Sequence, residues 1–177
     1  MEVSRLDAGA ESATLAPVDL GRAVAAIVAA RLPEATLHGP HAPITIETDV
    51  RRLDRILGNL LDNARMHAPG APVDVSVAPQ GGWAEIVVAD RGPGVTDDAL
   101  PHLFDRFYKA DASRRSGSSG LGLAIAAEHA ELLGGRLTAA RRDGGGLAFT
   151  LALPLPPGVT ESLPLGDGPA MGRADAG

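Results

Sequence analysis

RRLDRILGNLLDNARMH, residues 51–67, is the stretch from which the rest of this chain can be laid out. At 100° per residue, Leu53, Ile56, Leu57, Leu60, Leu61 and Ala64 fall on one apolar sector that must face a core. Asn59 and Asn63, four residues apart, stack on a different sector with Arg52, Arg55 and Met66 beside them. Two stacked amides can simply be solvated on an exposed face. They also offer neutral carbonyl oxygens suited to a hydrated Mg²⁺ that keeps waters and takes phosphate oxygens.

Working outward, the helix is expected to start near Asp49 and to end where Pro69 and Gly70 stop it. Before it, Asp19 can cap a helix whose Leu20, Val24, Ile27 and Val28 recur at helical spacing as far as Pro33, and residues 44–48 suit a short strand. After it, Val73, Val75 and Val77 alternate, a Gln-Gly-Gly turn follows, and residues 84–89 complete a hairpin ending at Asp90. A short helix is expected around residues 98–104, a longer one over 120–133, and a second hairpin from 136–141 and 147–153 around Asp-Gly-Gly-Gly. The order suggests a layered sandwich with helices on one face of a mixed sheet. Residues 1–17 read as a linker or the remnant of a longer helix. The Pro- and Gly-rich segment 155–177 reads as a disordered tail.

The 177 residues, 45% of them hydrophobic, suffice for one domain with a real core. No window resembles a membrane span or a leader, so a cytoplasmic polypeptide is expected, with no membrane segment of its own. The chain has no cysteine, and its five histidines lack ligand spacing, so a metal here should be a hard ion held by oxygen. A net charge of −6 argues against nucleic acid as a partner.

Two further patches carry chemistry. Asp90-Arg-Gly-Pro-Gly94 closes a strand; it can be plain turn chemistry, or a carboxylate accepting from an exocyclic amine while glycines let backbone approach a flat heterocycle. Gly120-Leu121-Gly122 precedes an amphipathic run, where the amides and positive dipole end of a helix start suit an anion and the missing Cβ atoms admit it. The three patches propose a metal, a purine amine and a polyphosphate, which are parts of one ligand.

Their order resembles the N, G1, F and G2 boxes of sensor histidine kinases: Asn59-Leu-Leu-Asp-Asn63, Asp90-x-Gly92-x-Gly94, Phe104-x-x-Phe107-Tyr108-Lys109 and Gly120-Leu-Gly122-Leu. The resemblance covers roughly residues 18–154. It implies an α+β fold of the Bergerat type, a two-layer sandwich with a mixed, mostly antiparallel sheet, helices on one face and an ATP lid over about 105–119. By the same resemblance the cofactors are ATP and Mg²⁺. Asn63 would ligate the metal and Asn59 would support metal and phosphates; Asp90 would accept from the adenine amine, with Gly92 and Gly94 shaping the wall. Lys109 would contact phosphate, Gly120, Leu121 and Gly122 would line the triphosphate, and Thr150 would approach the adenine from a late strand. Phe104 and Phe107 would pack the base of the lid.

Related ATPases and anti-sigma serine kinases carry a glutamate where Asn59 stands, and an asparagine cannot take a proton as general base. Little ATP hydrolysis is therefore expected, and the γ-phosphoryl should pass to an acceptor bringing its own nucleophile. Three departures stand out. Met66 occupies a usually basic position, leaving one phosphate contact missing or supplied by His67 or the lid arginines Arg114 and Arg115; Ser118 replaces a frequent glycine. None of His38, His41, His67, His102 and His129 has the sequence context of a phosphoacceptor. The resemblance thus implies a histidine-bearing dimerisation and phosphoacceptor domain as partner, on the same full-length kinase or a split one, and indirectly a response regulator. Residues 4–9, SRLDAG, are similar to the end of that domain's second helix. A nucleotide-sensing module without catalysis, or an anti-sigma-type serine kinase, is the alternative.

Overall fold

The computed structural model describes residues 13–109 and 120–157. The 4–9 segment, Arg114, Arg115, Ser118, most of the expected lid and residues 158–177 lie outside these described residues. The chain runs β1 (Ala16–Asp19), α1 (Leu20–Arg31), β2 (Thr36–His38), β3 (Thr45–Thr48), α2 (Val50–His67), β4 (Val73–Gln80), β5 (Trp83–Asp90), a 3₁₀ turn (Leu100–His102), α3 (Gly122–Leu132), β6 (Arg136–Arg141) and β7 (Leu147–Pro154).

One sheet has the order β2-β4-β5-β7-β6, parallel only between β2 and β4 and antiparallel elsewhere. Its helix-side face carries Val75, Val77, Ile86, Val88, Phe149 and Leu151, all buried, and packs against the apolar sector of α2 anticipated above, whose six members are all buried. The fold is therefore α+β, a mixed and mostly antiparallel sheet layered with helices. No helix among the described residues is long and apolar enough to cross a membrane.

Two strands escape the sequence reading. β1 begins at Ala16, inside the segment assigned to a linker, and pairs antiparallel with β3 as a separate ribbon. β2 is three residues long and gains its only ladder by lying parallel to β4, a contact no local pattern encodes.

The starts of α1 and α2 follow from local chemistry. Asp19 accepts from the Arg22 amide, and Asp49 accepts from the Arg51 and Arg52 amides, each occupying donors that a helix start leaves over. Asp49 also accepts from the Thr14 amide at 3.0 Å, which ties the chain ahead of β1 to the head of α2. Burial opposes ionisation of Asp49, but these three amides outweigh it and hold the carboxyl below its usual value.

Candidate functional site

Helix α2 acts as a ruler. Asn59, Asn63 and His67 succeed one another at four-residue steps along one side, about 12 Å from first to last at 1.5 Å per residue.

At the Asn59 end lies the start of α3. A Cβ built on Gly122 would stand 3.1 Å from Asn59 Oδ1, so glycine is what lets the two helices meet here. Asn59 Nδ2 donates to the Arg55 carbonyl at 3.0 Å, which fixes the amide and turns Oδ1 toward the helix start. Unlike α1 and α2, α3 opens after Leu121, whose side chain has no oxygen to accept from its first amides. The helix begins two residues later than its sequence suggests: Gly120 has φ +68°, a left-handed turn, and a Cβ there would be 2.8 Å from the Tyr108 carbonyl oxygen. Phe107 donates its amide to the Gly120 carbonyl at 2.9 Å and itself has φ +64°, a strained conformation for a phenylalanine. The F-box segment is thereby held against the start of α3, with Lys109 two residues beyond Phe107. Phe104 anchors it to the core, edge-on to Phe149 with ring centroids 6.4 Å apart, whereas Phe107 is 71% exposed and does not pack the base as expected.

At the His67 end lies the G1 loop. Asp90, only 6% exposed, points to the helix side of the sheet in phase with Ile86 and Val88. Its Oδ1 accepts from the Gly92 amide at 2.8 Å and from the Leu147 amide at 3.4 Å. Because both bonds fall on Oδ1, Oδ2 keeps its accepting capacity. A Cβ on Gly92 would be 2.6 Å from the Ala68 Cβ, so the loop lies flush against the end of α2. Gly94 has φ +69° and abuts the Gly146 carbonyl. The His67 imidazole belongs to this end: burial lowers its proton affinity, against the pull of Asp90. His67 precedes Ala68, which abuts Gly92, so it lies at the carboxylate end of this row, away from the start of α3; the sequence offers it only as one of two substitutes for a phosphate contact.

The structure thus brings Asn59, Asn63, Asp90, Gly92, Gly94, Gly120, Leu121 and Gly122 alongside the C-terminal half of α2, from Asn59 to its end at His67. Thr150 is not with them. It pairs with Val87 and Thr138, one residue out of phase with buried Phe149 and Leu151, so it lies on the sheet face away from the helices. The β7 residue that reaches Asp90 is Leu147, through its amide, a contact invisible in the side-chain pattern. Among the described residues no group of three or more His, Asp and Glu side chains could hold a metal ion.

Comparison with known proteins gives the family. The family model described as histidine kinase-, DNA gyrase B-, and HSP90-like ATPase matches residues 48–157. Signal transduction histidine-protein kinase AfsQ2 of Streptomyces coelicolor is 49% identical over 163 residues, covering 89% of this chain and 30% of its own length. Sensor histidine kinase MtrB of Mycolicibacterium paratuberculosis is 38% identical, covering 93% of this chain and 31% of its own. The chain thus spans under a third of these relatives. Among solved structures, full-length ShkA in complex with AMPPNP superposes with a TM-score of 0.71 at 30% identity, over 85% of this chain and 33% of that one. The mycobacterial sensor histidine kinase MprB gives 0.66 at 29% identity, over 80% and 97%. The chain belongs to the histidine kinase-, DNA gyrase B-, and HSP90-like ATPase family, and within it corresponds to the ATP-binding catalytic domain of sensor histidine kinases.

Proposed function

We infer that this chain binds Mg·ATP along the side of α2 and donates its γ-phosphoryl group to a histidine on another domain or chain. The observation that carries the reading is the placement of two unlike recognition features eight residues apart along the C-terminal half of α2: a buried carboxylate at His67, and glycine-lined amides at Asn59. A nucleotide has the same polarity, with an amine-bearing base at one end and anionic phosphates at the other. The solved complex of ShkA with AMPPNP supports it by likeness.

In this reading Asp90 Oδ2 accepts from the adenine amine, with Gly92 and Gly94 forming the wall. The amides after Gly120, Leu121 and Gly122 receive the phosphates without Cβ atoms in the way. Lys109 stands at the edge of the F-box segment as a further positive charge. Asn59 Oδ1, held by the bond from Nδ2 to Arg55, and the Asn63 amide are the oxygens that would hold Mg²⁺. The ion, when bound, supplies charge neutralisation to the phosphates. These amides bind and orient but remove no proton, so water is not activated at position 59, and transfer depends on an acceptor that is itself a nucleophile. The acceptor is a histidine on a helical phosphoacceptor domain, and the sequence of events ends at a response regulator.

The test is transfer in trans. The protein is incubated with γ-labelled ATP, Mg²⁺ and a histidine-bearing helical hairpin from a sensor kinase. Acid-labile, base-stable label on the hairpin supports the reading. Saturable nucleotide binding with no transfer to hairpins from several kinases, the AfsQ2 type included, would instead favour a nucleotide-sensing module.

A further inference from the structure

Asp90 is held from behind. The β6–β7 turn, residues 142–146, lies against the backbone of the G1 loop: Gly146 packs on the Asp90 carbonyl, and a Cβ on Gly145 would be 3.4 Å from the Gly92 carbonyl oxygen. From this turn the Arg142 side chain reaches back, its Nη1 donating to the Asp90 carbonyl oxygen at 3.1 Å. Its Nη2 lies 3.5 Å from Asp74 Oδ2 on β4. The Arg142 side chain, 21% exposed, therefore ties the last residue of β5 to the neighbouring strand β4 from the β6–β7 turn. The β5–β7 ladder stops at Ala89 and Ala148, so while Val73 of β4 still faces Asp90 on one side, on its β7 side Asp90 is held by side-chain and turn contacts. Arg142 holds its main chain, and the Leu147 amide from the same hairpin holds its carboxylate.

We propose that Arg142 is a positioning residue for base recognition: it fixes the Asp90 main chain, and through it the angle at which the carboxylate meets a purine amine. The proposal rests on the nucleotide-binding reading above. Asp74 is the second anchor. It also lies 3.9 Å from Arg91 and 3.8 Å from His38, so its charge is shared, and Arg142 is the partner that links it to the site. The planar fork of an arginine can make both contacts at once; a lysine offers a point charge and cannot span them equally.

The consequence is specific to the base. ATP presents an amine to Asp90 where GTP presents a carbonyl oxygen, which a carboxylate repels. Loosening Asp90 should weaken ATP and leave GTP little changed, without touching the contacts to phosphate. The experiment compares wild type, Arg142→Met, Asp74→Asn, Asp90→Asn and the Arg142→Met/Asp90→Asn double variant by calorimetric titration with ATP, ADP and GTP in the presence of Mg²⁺. Arg142→Met should bind ATP roughly tenfold more weakly, the loss expected for a charge-assisted bond. Its ATP-to-GTP preference should shrink by the same factor, and its ATP-to-ADP ratio should stay as in wild type. Asp74→Asn, which keeps the arginine and removes the charge of a partly buried anchor, should show the same pattern to a smaller degree. In the Asp90→Asn background, Arg142→Met should change the base preference no further. Unaltered ATP affinity in Arg142→Met, or an equal loss for ATP and GTP, overturns the proposal while leaving the nucleotide site standing. Failure of the wild type to bind any adenine nucleotide overturns both.

Discussion

Asn59 Oδ1 and the Cα of Gly122 are packed so closely that a methyl group on the glycine would stand 3.1 Å from the oxygen. The contact joins two segments more than sixty residues apart and makes the metal-type amide and the phosphate-type helix start into one surface.

Gly122→Ala should therefore weaken nucleotide binding with little effect on folding. The new methyl group pushes Asn59 by a few tenths of an ångström and occupies space above the first amides of α3, while alanine is favoured over glycine within a helix by about 1 kcal/mol. ATP and ADP affinities measured by calorimetry should fall, with the thermal midpoint equal to wild type or higher. Undiminished ATP affinity would remove the start of α3 from the site.

Asp90→Asn should cost ATP binding about 1–3 kcal/mol, because a buried amine loses a charged acceptor. The carboxamide can still accept from the Gly92 amide through its oxygen, so the loop should survive. Equal ATP titration curves for variant and wild type would reassign the base to another wall.

Gly146 and Gly144 offer a paired test of the turn behind Asp90. Both have left-handed φ, +95° and +86°, but a Cβ on Gly146 collides with the Asp90 carbonyl oxygen, whereas one on Gly144 meets nothing within 4 Å. Gly144→Ala should cost about 1–2 kcal/mol, the conformational term alone. Gly146→Ala should cost that and a further displacement of backbone, about 2–4 kcal/mol in all. Urea denaturation would show the order; equal losses would mean the turn does not brace Asp90.

Acidification should destabilise the fold below about pH 6.5, the ordinary histidine value. Burial lowers His67, and burial with the Arg52 and Arg55 charges lowers His129, whose Nδ1 lies 3.0 Å from Arg52 Nη1. Both rings are neutral in the folded state until lower pH than in the unfolded chain. The unfolded state then binds more protons as pH falls through the usual value, and stability drops until the folded-state values are passed. Urea midpoints at pH 7.5 and 5.5 should differ, and His129→Gln should reduce the difference. A pH-independent midpoint across this window would contradict the burial of both rings.

Much of this was legible beforehand because it is local. The apolar sector of α2, the alternating valines of β4, the aspartate caps and the glycine-bordered helix start each declare themselves within a few residues. What was hidden depends on partners distant in the chain. β2 has too few residues to show alternation and exists by pairing with β4. The resemblance puts Thr150 near the base, but a slip of one residue in a period-two element changes the face, and only the register with Val87 and Thr138 fixes it. Arg142 carries no helical or strand periodicity at all, and its role emerges only when the β6–β7 turn lies behind Asp90. His67 follows Asn63 by four residues and so shares its side of α2; its nearness to the G1 loop depends on how that loop packs at Ala68.

The most direct test of a single nucleotide bed along α2 is a titration of the isotopically labelled protein with ATP and Mg²⁺, following backbone and asparagine side-chain amides by NMR. The account predicts that signals of Gly92 and Gly94, of the Asn59 and Asn63 side chains, and of Gly120 and Gly122 shift together and saturate on one isotherm. Absence of saturation, or movement beside Asn59 without movement at the G1 loop, or the reverse, would contradict it.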